Sequence, residues 1–150
     1  MNLNEVDPFK LERFVKAQAV NYRQALDELH THRKKSHWIW YVLPQLRGLG
    51  ESHNSKFYGL TSLEEAKAYF EHPILGPRLL ECTEVFVSFK DATAESVLGR
   101  GDAMKLRSCL TLFAQFNDER SLFHQGLARH FAGLPDQKTL QLLADHQSKT

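Results

Sequence analysis

A chain of 150 residues with 42% hydrophobic and 25% charged side chains has the make-up of one ordinary globular domain. That composition excludes a disordered or fibrous protein. With 19 basic and 18 acidic residues the formal charge is +1, which excludes a general pull toward nucleic acid or an anionic membrane, so any basic site must be local.

Two cysteines, Cys82 and Cys109, lie far apart without a CxxC pair and read as free thiols of a reducing compartment. Met1 to Pro8 lacks the apolar run of a signal peptide, and no apolar stretch nears the roughly 18 residues of a membrane span. The expectation is a cytoplasmic chain with no membrane association and no strong nucleic-acid signal. Nothing in the sequence speaks to oligomeric state.

Helical signals dominate from the start. Asp7 and Pro8 form an N-cap and first-turn pair. Leu11, Phe14, Val15, Tyr22, Ala25, Leu26 and Leu29 then recur at helical spacing, predicting a long first helix to about His30. Arg33, Lys34 and Lys35 follow its end, where cations favour the helix dipole. Ser36 to Leu43 fits two periods. As a helix it is capped by Ser36 and ended by Pro44; as a strand it puts Trp38, Trp40 and Val42 on one face. A short buried helix is preferred, because the rest of the chain offers few strand partners.

Leu46 to Asn54, with Gly48 and Gly50, reads as loop. Ser62 to Glu65 is a capping box opening a helix that stops before His72-Pro73. Pro73 to Phe89 supplies another helical pattern, with a β-prone tail from Val85. Thr93 to Leu98 makes a short helix ended by Gly99. Asp102 is expected to cap a helix to about Phe116 and Asp118 one ending near Gly133, while Asp136 starts a last one carrying Leu140, Leu142 and Leu143. The predicted fold is all-α: a single compact domain over residues 1–150, of about seven helices, without internal repeats.

Chemistry concentrates around Lys35-Ser36-His37-Trp38-Ile39-Trp40-Tyr41-Val42-Leu43-Pro44-Gln45, where both tryptophans of the chain stand beside three cations. Such a block either anchors a core or walls a binding site. Cations ahead of a helix attract an anion, and the aromatics can stack on a base or sugar. On the helix after Asp102, Met104, Ser108, Thr111 and Gln115 fall opposite the apolar arc of Leu106, Cys109, Leu110, Leu112, Phe113 and Phe116. A stripe of small neutral polar groups lines a cavity or packs on another helix.

The eight histidines show no HExxH and no pairing with cysteine, so no metal site and no cofactor is expected. His37 and His72 border motifs and stand as the two weak candidates for proton transfer; the catalytic residues are otherwise unknown. No GxSxG elbow, Walker loop or GxGxxG is present.

The block from Arg33 through Gln45 resembles a bacterial family, domain of unknown function 1810, whose members sometimes carry the mistaken label calpastatin. The resemblance continues through Ser62-Leu63-Glu64-Glu65-Ala66 with Tyr69, His72-Pro73-Ile74-Leu75-Gly76-Pro77-Arg78-Leu79, and Asp102-Ala103-Met104-Lys105-Leu106-Arg107-Ser108-Cys109-Leu110-Thr111-Leu112-Phe113. It implies an all-α fold and supplies no mechanism. Leu98-Gly99-Arg100, Met104 and Phe113-Ala114-Gln115 also loosely resemble the all-α NADAR family of ADP-ribose-processing glycosidases, a likeness of fold only.

Two functions of different class follow. In the first, the protein binds or hydrolyses a nucleotide-like phosphorylated ligand, ADP-ribosyl or related. Lys35, His37, Trp38, Trp40, Tyr41 and Gln45 then form one wall and Arg78, Lys105, Ser108 and Thr111 the other. In the second, it is a non-enzymatic interaction module that binds a partner chain through the Trp38/Trp40 patch. A third placement puts function in the loop from Leu46 to Asn54.

Overall fold

The computed structural model describes residues 7–148; the first six residues of the leading polar segment lie outside the described residues. The described chain is all-helical. Its helices are α1 (Glu12–His30), α2 (Ile39–Val42), α3 (His53–Phe57), α4 (Leu63–Glu71), α5 (Leu75–Ser88), α6 (Ala94–Leu98), α7 (Arg100–Ala114), α8 (Leu122–Phe131) and α9 (Gln137–Ser148). These nine exceed the expected number of about seven. One of the additions, α3, stands where the sequence overlaps a stretch read as loop.

Local chemistry sets most boundaries. Asp7 is not the N-cap of α1, which is Leu11, although its carboxylate accepts from the amides of Leu11 and Glu12 at 2.7 and 3.0 Å. The helix nevertheless begins only at Glu12, because Lys10 adopts a left-handed φ of 54° and interrupts the right-handed run. Ser62 caps α4 through the Glu65 amide, as its motif predicts. Glu65 reaches back one residue further than a capping box requires, to the Thr61 amide and hydroxyl. Thr93 and Ser96 complete a reciprocal box at α6, and Asp136 accepts from the Thr139 amide at the start of α9.

Three further expected caps are corrected. Ser36 does not cap α2, because its hydroxyl is bonded to Glu28. Asp102 does not cap α7, which starts from Gly99 at φ 87°; the aspartate lies within the first turn. Asp118 closes the turn before α8, whose cap is Ser121.

Helices α5 and α7 organise the core. The first packs on α1, α4 and α8, and the second on α4, α6, α8 and α9. Helix α7 is enclosed on nearly every side, with Leu106 and every residue from Ser108 to Ala114 buried. Of its polar stripe, Ser108 and Thr111 are buried, while Met104 and Gln115 at the ends are exposed. Thr111 donates to the Arg107 carbonyl and accepts the Asp136 amide at 2.8 Å, tying α9 to the core without an unpaired donor. Phe113, Phe123, Tyr69 and Phe14 fill the centre, Phe14 edge-to-face with Tyr69, Tyr69 tilted on Phe113, and Phe113 stacked on Phe123.

Residues 46–60 run outside this frame. An isolated parallel bridge joins Leu46 to Leu60, both fully buried, and α3 lies between them, capped by Ser52.

Candidate functional site

The tryptophan block is built on a carboxylate. Glu28 sits three residues after Ala25 on the buried face of α1. Its oxygens accept from the amides of Lys35 and Ser36 (2.7 and 3.0 Å), the Ser36 hydroxyl (2.7 Å) and the Trp38 indole (3.0 Å). Burial opposes its ionisation, but the hydrogen bonds from Ser36, Lys35 and Trp38 outweigh burial and hold its pKa at about 2. The loop after α1 is therefore folded around an anion of the protein itself.

The basic cluster is consumed in part in the same way. Lys34, its side chain only 7% exposed, pairs with Asp102 at 2.7 Å, and Lys105 pairs with the other oxygen of that carboxylate at 3.0 Å. Burial resists the Asp102 charge, while the hydrogen bonds and charges of Lys34 and Lys105 prevail and keep its carboxyl below the usual carboxylate range. Each ammonium also lies over an indole: Lys34 at 5.3 Å from the Trp38 ring and Lys105 at 5.8 Å from the Trp40 ring. Asp102 thus stitches the tryptophan block to α7.

Beside this stitch opens a cleft of about 520 Å³, walled by Trp40 and Gln45, by residues 49–52 and Ser55, by Gly101, Met104, Lys105 and Ser108 of α7, and by Asp136 and Lys138. Its lining includes two lysines, Lys105 and Lys138, two carboxylates, Glu51 and Asp136, and three serines, Ser52, Ser55 and Ser108. Trp40 is half-buried and packs on His37 at 6.5 Å between ring centres. Its indole nitrogen is buried without a hydrogen-bond acceptor, alone in this among the described side chains. An orphaned donor costs about 1–3 kcal/mol.

Of the ten residues expected at a ligand site, Trp40, Gln45, Lys105 and Ser108 come together here. His37 touches the group through Trp40, while Lys35 is exposed and lies off the cleft wall. Trp38 is fully buried, its one donor spent on Glu28. Tyr41 is a core residue: its carbonyl accepts from Gln18 and Tyr69 and its hydroxyl from Asn21. Arg78 donates to Gln18 and lies 4.7 Å over the Tyr22 ring, away from the cleft. Thr111 is fully buried in the junction with α9. His72 accepts the amides of Ile74 and Leu75 and so starts α5.

Sequence reasoning missed Glu28, Ser55, Asp136 as a wall residue, and Lys138, whereas Glu51 and Ser52 fall in the loop from Leu46 to Asn54 named as a third placement. Glu28 did leave a signal, a carboxylate in register with Ala25 and Leu29. The two serines spell a cap, S-x-x-S, that also announces α3. Among the described residues no group of three or more His, Cys, Asp or Glu is placed to hold a metal ion, and no helix is long and apolar enough to cross a membrane.

The family of proteins of unknown function DUF1810 matches residues 8–143, and the chain belongs to it. It is also similar to the crystal structure of the conserved hypothetical protein Rv1873 from Mycobacterium tuberculosis, at 48% identity and a TM-score of 0.89, over 92% of this chain and 99% of the other. Comparison with curated proteins gives no match.

Proposed function

We propose that this member of the DUF1810 family binds a small nucleotide-like phosphorylated ligand, of ADP-ribosyl type, in the cleft beside Trp40. The observation that carries the proposal is convergence: Trp40, Gln45, Lys105 and Ser108, drawn from separate sequence blocks, meet on one cleft of about 520 Å³, a size suited to such a ligand. Lys105 and Lys138 supply charge for phosphate, Trp40 an aromatic wall and an indole donor, and Glu51 and Asp136 acceptors for ribose hydroxyls. The proposal takes the whole chain as one cytoplasmic domain.

Binding is preferred to hydrolysis. His72 uses Nδ1 on two backbone amides, and the cleft holds no histidine. The aromatic-patch alternative loses ground, because Trp38 has no exposed surface.

The test is a thermal-shift series with ADP-ribose, NAD and nucleotides on the intact chain and on Lys105→Gln. A ligand at a hundredfold excess over its Kd stabilises the native state by about 2.7 kcal/mol. A rise in Tm for the parent and a smaller one for the variant are expected. No shift with any of these compounds at millimolar concentration would sink the proposal.

A further inference from the structure

On the other side of residues 46–60 lies a second cleft, of about 310 Å³, whose walls include Lys10, Arg13, Arg47 and Lys56 but only one carboxylate, Glu65. In a chain of net charge +1 that is a marked local excess of positive charge. Arg13 and Glu65 neutralise each other at 2.8 Å, and both are otherwise spent. Arg13 donates to the carbonyls of Phe9, Lys10 and Phe57, and Glu65 accepts from Thr61. They make a rigid floor. Lys10, Arg47 and Lys56 are all exposed, and none has a carboxylate partner among the described residues.

The backbone is shaped to bring these three cations to one rim. Lys10 holds a left-handed φ of 54°, costly for a residue with a Cβ, and the hydrogen bond of its amide to the Asp7 carbonyl at 3.1 Å keeps it there. The Arg47 amide donates to the Leu60 carbonyl at 2.9 Å. That pairing needs Gly59, where a Cβ would stand 2.7 Å from the Arg47 Cα and 2.6 Å from the Ser55 carbonyl oxygen. Lys56 comes from α3, with the opening of the cleft flanked by Phe57, which is 48% exposed.

We propose that this cleft is a second, independent binding site for a small phosphate-bearing anion of two or more charges, such as a diphosphate group held by Lys10, Arg47 and Lys56. Mutual repulsion of three unpaired cations around one concavity is relieved by an anion, and the guanidinium of Arg47 offers a fork for two phosphate oxygens. The volume of about 310 Å³ admits a diphosphate. This site does not depend on the Trp40 cleft, which shares none of these cations.

Isothermal titration of the intact chain with inorganic diphosphate at low salt tests it, using Arg47→Gln, Lys56→Gln and the double variant, with Lys90→Gln as a control for general charge. Binding to the parent and to Lys90→Gln is expected, weakened about tenfold by each cation removed and lessened by added salt. Arg47 and Lys56 make no side-chain hydrogen bond or ion pair among the described residues, so circular dichroism should show the variants folded. Absence of binding, equal affinity in parent and double variant, or binding of a single-stranded oligonucleotide without diphosphate would each overturn the proposal. Failure here leaves Lys105→Gln and the Trp40 cleft untouched, so the two sites stand or fall separately.

Discussion

Glu28 shows how one residue can hold a binding-site wall in place. Among the described residues it forms no ion pair, and four donors from Lys35, Ser36 and Trp38 take the place of a counter-charge. With a folded pKa of about 2 against an ordinary 4.5, the unfolded chain takes up the proton first as pH falls. The stabilisation is therefore complete above about pH 4.5 and lost between there and pH 2. Glu28→Gln should flatten the acid limb of a Tm-against-pH curve in that window; an unchanged limb would show that the carboxylate is not ionised there. Glu28→Ala, which strands the Trp38 indole and two amides, should cost about 3 kcal/mol in urea unfolding. The sequence offered the tryptophans but not their acceptor, because a glutamate in a helix is ordinarily solvated and its partners lie seven to ten residues away.

At the scale of elements, the tightest junction is between α4 and α5. Gly76 donates to the His72 carbonyl at 3.0 Å, and a Cβ there would overlap the Phe70 carbonyl oxygen. Because that obstacle is backbone, Gly76→Ala should destabilise by about 3 kcal/mol, whereas Gly101→Ala, with open space around it, should not. Denaturant midpoints of the two variants give the comparison directly. At the α7–α9 junction, Thr111→Val removes the acceptor of the Asp136 amide and should cost about 1–3 kcal/mol, read in the same way. Long helices such as α1 and α5 were legible because three or more turns of apolar spacing leave little choice. The cap at Ser62 was legible for the same local reason. Ser36 and Asp102 misled because their oxygens are claimed by residues distant in sequence, Glu28 and Lys34. The five residues of α3 are too few to show a period at all.

Across the whole molecule, charge is sorted even though its sum is +1. Residues 46–60 divide a cleft of balanced charge beside Trp40 from one of excess positive charge beside Arg47. The all-α class could be read from the sequence, and so could part of the candidate site: the polar stripe of α7 and the tryptophan block do meet, at Ser108, Lys105 and Trp40. Arg78 and Thr111 could not be excluded from it by sequence, since helical spacing gives a face and not the neighbour that covers it. Only the packing shows that Tyr22 and Gln18 occupy the one and α9 the other. With only two tryptophans in the chain, the central claim has a direct probe, the two indole N–H signals of a ¹⁵N-labelled sample titrated with ADP-ribose. The Trp40 signal should move in a saturable way while that of Trp38, bonded to Glu28, stays in place. Two stationary signals, or movement of Trp38 alone, would contradict a ligand site beside Trp40.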